Sequence, residues 1–141
     1  MPYTPNQIAT YARYPNAWGP VVVPATAKTV FTDITNAVLF VPKMPDFKQV
    51  LSTVYAEVVL TPIANGKISL FLYNDTVAWQ IASKPFTTAA TVSTTAQPTQ
   101  ITFDYSVAAP LIINEGLSLY AAVTVTQSVN TFNMFAWGKV Y

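Results

Sequence analysis

The chain reads as an all-β protein: an antiparallel β-sandwich, a jelly roll of about seven or eight strands, preceded by an extended N-terminal arm. Three observations predict this. Apolar residues alternate through Ile101, Phe103, Tyr105 and Val107, and again through Leu117, Leu119, Ala121, Val123 and Val125. In the first run the intervening positions are Thr102, Asp104 and Ser106, the pattern of a strand with one buried and one solvated face. Turn-forming residues separate the apolar runs, and no stretch carries the 3.6-residue period of an amphipathic helix.

The elements follow in order. Residues 1–24 hold five of the eleven prolines (Pro2, Pro5, Pro15, Pro20, Pro24) and the aromatics Tyr3, Tyr11, Tyr14 and Trp18. Proline fixes φ and removes a donor, so this segment is expected to be an extended arm. Its aromatics argue against simple disorder. Such an arm lies on something, either its own domain or a neighbouring subunit. The sandwich is expected over 25–141. Val30 to Thr35 alternates weakly, and Ala37 to Val41 is a short apolar run closed by Pro42 and Pro45. Val50 to Leu60 is expected to place Val50, Val54, Ala56, Val58 and Leu60 on one face.

Asn65-Gly66 has the composition of a tight hairpin turn, whose central residues take positive φ. Ile68, Leu70 and Leu72 then share a face, with Phe71 and Tyr73 on the other. Asn74-Asp75-Thr76 marks a second turn, and Val77, Trp79 and Ile81 form the next inward set. Thr87 to Gln100 is rich in Thr, Ala and Ser, and is expected to be a loop or exposed edge. After the two alternating runs, Thr131 to Tyr141 is the last strand. It is apolar on both faces, Trp137 with Phe135 and Tyr141 opposite Phe132 and Met134. A strand of that kind is either central in its sheet or covered by a partner.

Composition bounds the function. The 141 residues suffice for one domain with a full core, without disulfides, and the chain has no cysteine. Only 9% of residues are charged and 52% are hydrophobic, against about 25% charged in a typical globular chain. Soluble monomers usually cover themselves with charge. The expectation is therefore a surface hidden against copies of the chain or against a partner. The net charge is +1, with six lysines and Arg13 scattered singly. Nucleic-acid binders concentrate such residues into a stripe or arm, so nucleic acid is not an expected partner. No apolar run approaches the ~20 residues of a membrane helix. Met1-Pro2-Tyr3-Thr4-Pro5 shows no signal-peptide pattern, so the expected product is unprocessed and made in the cytoplasm.

Catalysis is not expected. There is no histidine to act as base, and no G-x-S-x-G elbow accompanies the many Ser and Thr. A glycosidase-type carboxylate pair would have to come from the six acids, Glu57 with Asp104 being one arrangement. Zinc ligands are missing, and Asn74-Asp75-Thr76 falls far short of a calcium loop. Gly19, Gly66, Gly116 and Gly138 are too far apart to cradle a phosphate, and no cofactor is implied.

One resemblance adds to this reading. Pro98-Thr99-Gln100-Ile101-Thr102-Phe103-Asp104-Tyr105, then Pro110-Leu111-Ile112-Ile113, then Glu115-Gly116-Leu117-Ser118-Leu119-Tyr120 resembles the closing half of many jelly-roll sandwiches. Such modules occur in carbohydrate-binding domains and in small virion structural proteins, including phage capsid decoration, cement and fibre proteins. The resemblance implies a bacteriophage virion component that works by assembly with itself, as a homo-oligomer, or on a capsid protein. The near-neutral arm departs from genome-packaging coat proteins and points to an outer or minor component. The expected interface residues are Tyr3, Tyr11, Tyr14, Trp18, Trp137 and Tyr141. The alternative is a carbohydrate-binding module, with Tyr55, Phe71 and Tyr73 as part of a stacking platform for a glycan.

Overall fold

A computed structural model describes residues 14–92 and 97–141. In chain order the strands are β1 (Tyr14–Val22), β2 (Val38–Val41), β3 (Gln49–Val58), β4 (Gly66–Tyr73), β5 (Ala78–Phe86), β6 (Gln100–Thr102), β7 (Leu111–Ile113), β8 (Ser118–Val123) and β9 (Phe132–Val140). The first sheet has the order β1-β9-β3-β6, with β7 also pairing β3. The second has the order β2-β8-β4-β5. All pairings are antiparallel.

Strands β6 and β7 are two pieces of one edge. β6 pairs with Tyr55–Glu57 and β7 with Gln49–Leu51, at opposite ends of β3. Counted together they leave four strands in each sheet. Apart from that interruption, only β4–β5 links strands within one sheet; the other connections cross between sheets. This is the jelly-roll order. The expected sandwich is therefore present, and the sequence alone could not supply its strand order, because pairing partners lie far apart in the chain.

The core lies between the sheets. Leu51, Val54, Ala56, Val58, Phe132, Met134 and Ala136 face it from the first sheet; Val41, Ile68, Leu70, Leu119, Ala121 and Val123 face it from the second. Phe86 of β5 meets Phe132 of β9 across the gap, ring centroids 4.6 Å apart. Fully burying side chains of this size contributes about 1.5–3 kcal/mol each. As expected of a strand apolar on both faces, β9 is central, between β1 and β3.

Several expectations need correction. Within the segment 1–24 expected to be an arm, residues 14–22 form β1, paired with β9 of the same chain from Tyr14↔Val140 to Val22↔Asn133. Asn65-Gly66 joins strands of different sheets and is no hairpin, and neither residue has positive φ. Gly66 is there for space: a Cβ would meet the Phe86 ring at 2.9 Å and Val125 at 3.1 Å. Asn65 Oδ1 accepts from Thr88 N–H at 3.0 Å. The Asn74-Asp75-Thr76 turn is the true hairpin, with Asp75 at φ 74° and Asn74 Oδ1 accepting from Thr76 and Val77 N–H.

The alternation in β3 slips once. A bulge between Leu51 and Thr53 puts Leu51 in the core with Val54, Ala56 and Val58, leaves Val50 half-buried, and leaves Leu60 beyond the strand and exposed. Val30 to Thr35 is connection, not strand. The run from Ile101 ends early, since residues 103–110 leave the sheet and Val107 is 87% exposed. Val77 and Trp79 are exposed rather than inward, because Val77 belongs to the hairpin turn and Trp79 to an edge strand with no outer neighbour among the described residues.

Candidate interaction surface

Pairing decides which aromatics share a surface. Trp18 lies opposite Ala136, and Ala17 lies opposite Trp137. Adjacent positions point to opposite faces, so the two tryptophans are separated by the sheet. Trp18 packs half-buried against the core. Trp137 stands on the outer face, 47% exposed. The sequence placed both in one interface; the register of β1 on β9 parts them.

Around Trp137 the outer face is aromatic. Its ring meets Tyr55 edge-on at 5.7 Å, and Tyr55 stacks on Phe135 at 5.2 Å with planes 15° apart. Such pairs contribute about 0.5–1.5 kcal/mol beyond the area they bury. The same face carries exposed Ile112 of β7 and Val22 of β1. Ser52 Oγ, at the β3 bulge, donates to Trp137 O at 3.3 Å. Tyr141 follows β9, half-buried, and exchanges two backbone hydrogen bonds with Lys48. Tyr14 opens β1 opposite Val140. Tyr3 and Tyr11 lie outside the described residues.

The outer face of the second sheet is partly covered by the β1–β2 connection. Lys28 holds that connection down. Its amine is buried, donates to Asp33 Oδ1 at 3.0 Å and Thr35 O at 2.9 Å, and sits 5.3 Å from the centre of the Phe71 ring. Phe31 leans on Phe71 at 5.7 Å, and Ile34 and Ala37 pack beside it. The Lys28 amine and Thr35 N–H hold the Asp33 carboxyl below its ordinary pKa of 3.8. Nothing in the sequence marked Lys28, since one lysine in a Thr/Ala-rich stretch looks like any solvated cation.

The expected sugar platform does not form. Tyr55 is on the first sheet, while Phe71 and Tyr73 are on the outer face of the second. Phe71 is fully buried under the connection, and Tyr73 packs edge-on against Tyr120 at 5.7 Å.

Besides Asp33, two further acids engage lysines. Lys84 Nζ lies 2.6 Å from Asp104, and Lys43 pairs with Asp75. Glu57 sits on β3 opposite Gln100 and Asn133. Among the described residues no group of three or more Asp, Glu, His or Cys is placed to hold a metal ion. Among them, too, no helix is long and apolar enough to cross a membrane. Together the fold and surface define a jelly-roll β-sandwich whose first sheet carries an outer aromatic cluster around exposed Trp137. No protein-family model, curated protein or solved structure matches the chain.

Proposed function

We propose that this chain is a non-enzymatic structural protein that works by assembly, with itself or on a larger particle, as a virion component of decoration, cement or minor-capsid type. One observation carries the reading: exposed Trp137, ringed by half-buried Tyr55 and Phe135, on the central strands of the first sheet. Protein interfaces are anchored by aromatic residues near their centre, and a contiguous apolar patch on a soluble surface marks such a site. The 9% charge content supports it, because hidden surface needs no charge. The jelly roll is compatible with capsid and lectin roles alike, so the fold by itself does not choose.

The test is native mass by light scattering after size exclusion, on the wild type and on Trp137→Glu. The expected result is a discrete oligomer that Trp137→Glu dissociates while the β signal in circular dichroism is unchanged. A wild-type chain that stays at 15.4 kDa over all concentrations would overturn self-assembly.

A further inference from the structure

A second feature, independent of the assembly reading, lies on the outer face of the second sheet. There a cleft of about 480 Å³ opens beside the β1–β2 connection. That volume is within the range of small-ligand pockets. Ser69 of β4 and Ser83 of β5 are cross-strand partners in its lining. Lys67, Gln80 and Thr124 add further polar groups, and Phe31 adds an aromatic ring.

Ser69 carries the argument. It is 1% exposed, and its Oγ has no hydrogen-bond partner among the described residues. A buried hydroxyl without a partner costs about 1–3 kcal/mol. Such groups are few in native proteins and each calls for a reason. The buried Gln127 bonds Ile63 N–H, Ala64 O and Val125 O, and the buried Gln49 bonds Pro42 O; among the described residues Ser69 Oγ is the buried side-chain atom left without a partner. The exception coincides with the cleft.

The lining selects a chemical class. Lys67 is its one ionisable group, so it lacks the clustered cations or arginine fork that a phosphate or carboxylate calls for. Its amide and hydroxyls both donate and accept, which matches adjacent hydroxyl groups on a ligand. Thr124 Oγ1 accepts from Lys67 N–H at 2.9 Å and keeps its own proton to donate. Phe31 keeps 44% of its surface exposed and is steadied by Phe71 beneath it. A ring with one apolar face and a rim of hydroxyls satisfies both parts. Lys28 fixes the connection that carries Phe31, which lowers the ordering cost of binding.

We propose that this cleft binds the ring of a neutral hexose, stacked on Phe31 and hydrogen-bonded by Ser69, Gln80 and Ser83. The test is a titration of the full chain with glucose, galactose, mannose and N-acetylglucosamine, one at a time, followed by amide chemical shifts. At least one sugar is expected to give saturable shifts centred on Lys67, Ser69, Gln80 and Ser83. Gln80→Ala, at an exposed position, is expected to weaken binding about three- to tenfold. Ser69→Ala is expected to weaken it by a similar factor yet raise Tm, because the unpaired hydroxyl is gone. Wild-type spectral dispersion in each variant shows that the fold is intact. The proposal fails if none of the four sugars saturates, if shifts centre on Tyr55 and Trp137, or if both variants bind as the wild type does. The mass measurement above reads the other sheet face, so either idea can fail alone.

Discussion

Lys28 shows how much one side chain decides here. Its amine is withdrawn from water, and its partners are a half-exposed carboxylate, a carbonyl and an aromatic face. Lys28→Ala removes the donor to Thr35 O and the packing over Phe71, and is expected to cost about 1–3 kcal/mol in denaturant unfolding. The pH dependence has a definite sign. The Asp33 pKa is lowered in the folded state, so its stabilising effect is fully present above the ordinary value of 3.8 and is lost as pH falls through the lowered value. Carboxyl titration by NMR is expected to show the depression in the wild type and a smaller one in Lys28→Met, where Thr35 N–H still donates to the carboxylate. Gly138 is equally constrained. A Cβ there would lie 1.9 Å from Val50 O, beside the β3 bulge. Gly138→Ala is expected to destabilise by about 1–3 kcal/mol, because backbone must move. Neither residue is legible in the sequence: Gly138 there is only a glycine remote from the other three, and its contact comes from a strand nearly ninety positions away.

At the scale of elements, the pairing of β1 changes what the N-terminal segment does. Val23 is buried and Trp18 packs on the core, so residues 14–24 belong to the sandwich. Deleting 1–24 is expected to unfold the domain or strongly lower Tm, since β9 would lose a neighbour and become an edge. Deleting 1–13 leaves every described strand in place and is the informative truncation. If residues 1–13 carry the arm exchange expected from Tyr3 and Tyr11, that shorter deletion lowers the oligomeric mass without changing Tm. If mass is unchanged, assembly runs through the sheet face alone. The alternating strands β4, β8 and β9 were legible because period 2 is a local property. Asn65-Gly66 misled because its composition reports backbone tolerance, and a connection between sheets can use the same residues.

On the scale of the whole molecule, the two outer faces have different characters. The first sheet presents Trp137, Tyr55 and Phe135 with Ile112 and Val22; the second is half-covered by its own connection and bears a polar cleft. A particle-surface protein built this way would bury the first face and leave the second open. On the two proposals, glycan contact and assembly would run on opposite sides of one sandwich. The expected outcome is that Trp137→Glu changes mass and leaves sugar shifts in place, while Gln80→Ala does the reverse. Light scattering and the amide titration on the same two variants check it.

By itself the sequence determined the all-β class, the alternating sets of β4, β8 and β9, the choice for β9 between a central and a partner-covered place, and the lack of a histidine base. These depend on neighbours in the chain or on composition, so they can be read without knowing what lies across the gap. Only the tertiary structure decided the jelly-roll order, the burial of Phe71 and Lys28, the separation of Trp18 from Trp137, and the place of Ser69 beside a cleft. Each of those depends on contacts between segments remote in sequence. The physical reason is that alternation says which residues share a face, while register and crossover say what covers that face.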